Sequence, residues 1–175
     1  DELFAFYQRM AERGVDGGKL KIGLDMTADI RRIGIMREAL SVASERPHLM
    51  VDVNEYWSPK QAIRKVSEME ERCSIAWIEE PARRWDYLGL RRVKEGVRTA
   101  VCAGENLDTL GDFLPYFQHR AADVIQVSYG MTGISCALQI ADAAFGYELP
   151  ITLGGSPGLL HAHLATVMPN FMTLE

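Results

Sequence analysis

The sequence predicts a one-domain α/β protein: a parallel sheet closing toward a barrel, with helices on the outside. Three observations carry that expectation. Short apolar runs alternate with segments of helical period along all 175 residues, joined by short connections. No glycine-rich phosphate loop follows any of the apolar runs, which counts against an open dinucleotide-binding sheet. Three runs deliver an acid at their C-terminal end, as Asp52, Glu79 and Glu105. Functional residues following several consecutive strands are what a βα barrel places at one mouth.

The elements follow in order. Leu3, Phe6, Tyr7 and Met10 fall at helical spacing over residues 2–13, and Gly14 suits the C-cap. A short strand over 19–23 precedes a helix over 29–43, whose apolar face runs through Ile30, Ile33, Met36 and Leu40. The strand 49–53 leads to Ser58-Pro59, an N-cap followed by proline at the first helical position, and then to a helix over 60–72. The strand 75–78 is followed by a loop containing Trp85 and a helix over 87–95. Strands at 100–103, 124–127, 150–153 and 171–174 are separated by helices at 109–117 (capped by Asp108), 133–145 and 159–167. Seven strands alternating with helices imply right-handed crossovers and a parallel sheet. A barrel of eight strands would then have one place open, so its first strand is expected to precede residue 1.

Composition excludes several classes. The chain is 47% hydrophobic and 25% charged, an ordinary globular balance. A net charge of −5 argues against nucleic acid or an anionic membrane as the main partner. No apolar run approaches the ~20 residues of a membrane helix, and no signal peptide is expected. Cys73, Cys102 and Cys136 lack metal-site spacing and read as buried thiols, which places the protein in the reducing cytoplasm.

The chemistry centres on Trp77-Ile78-Glu79-Glu80-Pro81, a buried run that stops at two acids and a proline. Core packing does not require acids there. Asp52, Glu79 and Glu105 are spaced by 27 and 26 residues, one βα unit each, so they should be neighbours on the rim. Three hard oxygen ligands suit Mg²⁺, which keeps positions for water or substrate. Asn54, Asn106 and Glu80 stand beside these acids as supporting or substrate-contacting groups. Lys19 and Lys21 alternate on one strand and point to the same side. Mutual repulsion and a nearby cation favour the neutral amine that a general base needs.

Lys19-Leu20-Lys21, Asp52-Val53-Asn54, Trp77 to Pro81 with Asp86-Tyr87, and Gly104-Glu105-Asn106 closely resemble the enolase superfamily, in its mandelate racemase subgroup. The resemblance covers nearly the whole chain. It implies a TIM-type (β/α)₇β barrel, of which residues 1–175 would be strands two to eight. The first strand and an N-terminal α+β capping domain would lie outside this chain. It implies Mg²⁺-assisted removal of the proton α to a carboxylate from a small-molecule substrate, and assembly into homo-oligomers. Carried over, Asp52, Glu79 and Glu105 would bind Mg²⁺, Lys21 would be the base, and Lys19 would contact the substrate carboxylate.

The subgroup's second acid/base, a His ending the seventh barrel strand and oriented by an Asp on the sixth, is where the sequence departs. Asp123 is taken at the Asp position, but Ile151-Thr152-Leu153-Gly154-Gly155 ends without a His. His161 and His163 follow several residues later and read as packing or helix-terminal residues. Two-base racemisation is therefore disfavoured. The acid opposite Lys21 could be its own ammonium, a metal-bound water, or a hydroxyl such as Tyr129 or Ser156. The expected reaction is dehydration of an aldonate or aldarate to a 2-keto-3-deoxy acid, making the protein a hydro-lyase. One-base epimerisation, or metal and ligand binding without turnover, are the alternatives.

Overall fold

A computed structural model describes residues 2–155 and 158–174. Seven parallel strands lie side by side in chain order: β1 (Gly17–Lys21), β2 (His48–Asp52), β3 (Trp77–Glu79), β4 (Ala100–Ala103), β5 (Val124–Val127), β6 (Ile151–Leu153) and β7 (Phe171–Leu174). The sheet curls as an incomplete barrel, with β1 and β7 as its two edges. The helices are α1 (Glu2–Ala11), α2 (Met26–Leu40), α3 (Pro59–Glu70), α4 (Tyr87–Gly96), α5 (Leu110–His119), α6 (Tyr129–Thr132), α7 (Ile134–Gly146) and α8 (Leu159–Ala165).

Alternation sorts the strand residues into two layers. Leu20, Val51, Ile78, Val101, Ile125 and Leu153 face the helices and join Ile33, Met36, Val66, Leu90, Phe113 and Ile140 in the main core. Met50, Trp77, Cys102 and Val124 form a separate cluster on the inner side of the sheet. The inner position after Met50 is Asp52, and that after Trp77 is Glu79. The same parity that plugs the sheet interior below therefore delivers carboxylates above.

Helix starts are chemically specified at the same end. Ser58 and Gln61 form a capping box with Pro59 in the first turn. Asp86 accepts from Gly89 N at 2.8 Å. Asp25 caps α2, which begins at Met26, earlier than the apolar pattern alone indicated. The α5 cap is Thr109 rather than Asp108: Thr109 N donates to Asp112 at 2.9 Å, and Asp112 is the residue three positions on. β1 runs two residues ahead of its expected span, because its pairing with β2 begins at Gly17–His48 and ends at Lys21–Asp52.

A candidate metal and acid/base site at the strand ends

The register places the acids. Lys21 pairs with Asp52, and Asp52 with Glu79, across β1, β2 and β3. The ladder continues past the strands: Ile22 N donates to Asp52 O at 2.8 Å, Val53 N to Glu79 O at 3.1 Å, and Glu80 N to Cys102 O at 2.9 Å. These bonds fix the backbone from which each carboxylate projects. Glu105 is delivered by Gly104, whose φ of +130° turns the chain out of β4. A side chain at Gly104 would put Cβ 2.5 Å from Gln126 O and 2.7 Å from the Phe113 ring. Only glycine fits.

Oxygens of Asp52, Glu79 and Glu105 all come within 4.8 Å of one another. Asp52 and Glu79 are fully buried. Lys19 Nζ lies 2.7 Å from both Glu79 oxygens and 3.6 Å from Asp52, while Lys21 is hydrogen-bonded to Asp52. Asn54 N donates to Asp52 Oδ1 at 2.8 Å. Three carboxylates this close repel unless positive charge stands among them. The lysines supply part of it. Glu105 Oε2 is nevertheless buried with no hydrogen-bond partner among the described residues. The donor set, all oxygen and anionic, fits a hard divalent cation such as Mg²⁺.

Around this cluster the neighbouring residues take different parts. Glu80 is buried with φ +43°, and Asn106 Nδ2 donates to its two oxygens at 2.9 and 3.2 Å. Burial pushes its carboxyl up to about 7; the Asn106 bond opposes this, and nearby Glu55, Asp52 and Glu105 add to it. Glu80 and Asn106 thus form a bracket behind the acids. Asn54 is exposed at φ +46°, and its backbone rather than its amide supports Asp52. Glu55, which the sequence reading passed over, is buried and accepts from Arg84 N and Nη1, both at 2.9 Å. This ties the loop after β2 to the loop after β3.

Asp123 is elsewhere. β5 begins at Val124, so Asp123 precedes the strand and lies at the N-terminal rim, away from the acids. It accepts from Val101 N at 2.9 Å and pairs with Lys94 of α4 at 3.1 Å. Its parity is that of the helix-facing residues. The residue that does reach the upper end of β5 is buried Ser128, in phase with Val124 and Gln126. Tyr129 follows it at the mouth, and Ser156 lies outside the described residues. His161 comes back to the end of β6 despite its distance in sequence. Its ring is buried on the first turn of α8, with Nε2 3.2 Å from Gly154 O and the ring 4.4 Å from that of Tyr129. Burial of His161 together with Leu164, three residues on, marks the inner face of α8. That spacing can mark a packed face, but not the strand end it meets.

Residues 2–175 match the family model described as Enolase C-terminal domain-like. The chain belongs to that family. The resemblance drawn from the lysine pair and the three acids is thereby borne out. Among its relatives, an L-Ala-D/L-Glu epimerase of Clostridium acetobutylicum is 34% identical over 138 residues, covering 78% of this chain and 38% of that protein. An L-talarate/galactarate dehydratase of Salmonella typhimurium is 37% identical over 135 residues, covering 76% of this chain and 33% of that protein. The L-talarate dehydratase of Polaromonas sp. JS666, solved with Mg and L-glucarate, superposes with a TM-score of 0.88 at 31% identity, over 100% of this chain and 48% of that one. The chain thus spans less than half the length of these enolase-family relatives. Among the described residues, no helix is long and apolar enough to cross a membrane.

Proposed function

We propose that the protein is a Mg²⁺-dependent enzyme that removes the proton α to a carboxylate, and that its reaction is dehydration of an acid sugar. The observation that carries this reading is the convergence of Lys19 and Lys21 on Asp52 and Glu79 at one end of the sheet. Bases and metal ligands share one small space there. Asp52, Glu79 and Glu105 would hold Mg²⁺, which when bound supplies positive charge to the substrate carboxylate as negative charge grows on it. The relative solved with Mg and L-glucarate supports both the ion and the substrate class.

The chain's residues then divide the work. Lys19 contacts the carboxylate and holds it. The Lys21 amine takes the α-proton, and the C–H electron pair moves into the carboxylate-conjugated system. The β-carbon–oxygen bond breaks with its electron pair on the hydroxyl oxygen, which takes the Tyr129 phenol proton and leaves as water. The resulting enol tautomerises to the 2-keto-3-deoxy acid, Lys21 gives the proton it took to solvent, and solvent returns one to Tyr129. Substrate gives keto acid plus water.

The 34% identity to an epimerase favours a second reading, inversion at the same carbon without loss of water. Incubating the protein, expressed from its complete gene, with Mg²⁺ and a panel of aldonates and aldarates in D₂O separates the two. Semicarbazone-reactive keto acid is the expected product. Deuterium entering recovered substrate with no keto acid would select epimerisation. Tight Mg²⁺ and acid binding with neither outcome would make it a binding protein, and Lys21→Ala would then change nothing but affinity.

A further inference from the structure

We infer that Glu55 and Arg84 are positioning residues for the metal site: their ion pair holds the turn whose backbone orients Asp52. This rests on the reading of Asp52 as a Mg²⁺ ligand. The turn after β2 runs against backbone preference. Asn54 and Glu55 stand in succession at φ +46° and +61°. Asn is tolerated in that left-handed region, whereas Glu rarely enters it. The bend has a consequence for the ligand. It brings Asn54 N back toward β2, where it donates to Asp52 Oδ1 at 2.8 Å. Asp52 Oδ2 meets Lys21 and, at 3.6 Å, Lys19. One oxygen is thus fixed by the turn while the other faces the lysines, and the plane of the carboxylate is set.

Residues in such conformations persist only when their surroundings hold them there. Glu55 is held through both its backbone and its side chain. Its N donates to Glu80 O at 2.9 Å. Its carboxylate accepts from Arg84 N and from Arg84 Nη1, each at 2.9 Å. Arg84 is anchored in turn by α5, where buried Tyr116 donates from its hydroxyl to Arg84 O at 2.9 Å. The Glu55 side chain is 9% exposed, so this is a largely buried carboxylate whose charge is met by a guanidinium. Glycine would take φ +61° freely but could not reach Arg84. A glutamate at a backbone angle that disfavours it marks the carboxylate, rather than the turn itself, as the part that matters.

Charge and geometry predict opposite signs for Arg84, which makes the role measurable. Removing a cation from these acid-rich loops should by charge alone tighten Mg²⁺ binding; loosening the turn should weaken it. The complete protein is titrated with MgCl₂ by calorimetry. Arg84→Met should weaken Mg²⁺ binding about 10- to 100-fold. Glu55→Gln, whose amide sets a donor against a donor at Arg84, should do the same, and the double variant should be no worse than either alone. Glu55→Ala loses the tie and keeps the strained backbone, whereas Glu55→Gly loses both, so the glycine variant should recover part of the affinity that alanine loses. Tighter or unchanged Mg²⁺ binding in Arg84→Met, or a folded Glu55→Gly that binds no better than Glu55→Ala, would overturn the inference and leave the metal reading standing. Should the Glu55 variants not fold, Arg84→Met decides the matter, since its side chain is 37% exposed. Wild-type protein that binds no Mg²⁺ would overturn the metal reading, and this inference with it.

Discussion

Lys19 reaches past its neighbour β2 to set its ammonium 2.7 Å from both oxygens of Glu79 on β3. The contact follows from register. Lys21, Asp52 and Glu79 stand in one row across three strands, and Lys19 shares the inner face two residues below Lys21. A long, flexible side chain starting below the row can reach the third strand, whereas Lys21 meets the second. Asp52 and Glu79 are consequently both paired with lysine, while Glu105 keeps a buried oxygen with no hydrogen-bond partner among the described residues.

Metal should therefore stabilise the protein through Glu105. A ligand at one hundred times its dissociation constant adds about 2.7 kcal/mol to the folded state. Thermal unfolding with and without Mg²⁺ should show an upward shift of several degrees. Glu105→Gln should abolish most of that shift while changing the metal-free midpoint little, since it removes charge from a crowded cluster and its buried Oε2 has no hydrogen-bond partner among the described residues.

Asp123→Asn should leave turnover unchanged. Its carboxylate accepts from the Val101 amide and pairs with half-exposed Lys94 at the rim far from the acids. The expected cost is about 1 kcal/mol in urea unfolding, with kcat and KM at wild-type values. A large fall in kcat would return Asp123 to the site.

The contrast between Asp123 and Glu79 shows what the sequence could and could not reveal. A buried run ending abruptly in acids has no packing explanation, so Glu79 and its two in-phase partners were legible, as was the alternation that builds the sheet. Asp123 required knowing on which side of the strand it falls. An acid one residue before Val124 and one just after Val127 differ by the whole height of the sheet, yet local pattern around a four-residue strand barely separates them. That His161 packs was legible; where it packs was not. Its place depends on how α8 turns back against β6, a tertiary matter that spacing along the chain does not encode. α6, four residues long, has no period to detect.

Gly104→Ala should be among the most damaging substitutions outside the charged groups. The new methyl would sit 2.5 Å from Gln126 O and 2.7 Å from the Phe113 ring, on a backbone at φ +130°. Backbone strain and overpacking each cost about 1–3 kcal/mol. A lowered urea midpoint is expected, together with weakened Mg²⁺ binding, because Glu105 is aimed by this turn. Unaltered Mg²⁺ affinity in the folded variant would mean that Glu105 is positioned by its loop alone.

Lys19→Met should move metal affinity and metal-free stability in opposite directions. Lys19 neutralises Glu79 and Asp52, and its side chain is largely buried at 19% exposure. Taking away that charge leaves fully buried carboxylates facing one another, and breaking such a pair costs about 3–5 kcal/mol. The same carboxylates are those expected to hold Mg²⁺, so the lysine competes with the ion for them. Without it, Mg²⁺ should bind more tightly by calorimetry, even as the metal-free protein melts earlier. The ratio kcat/KM should still fall, chiefly through KM, because the group proposed to contact the substrate carboxylate has gone. Weaker Mg²⁺ binding in this variant would show that Lys19 assembles the acids for the metal rather than competing with it.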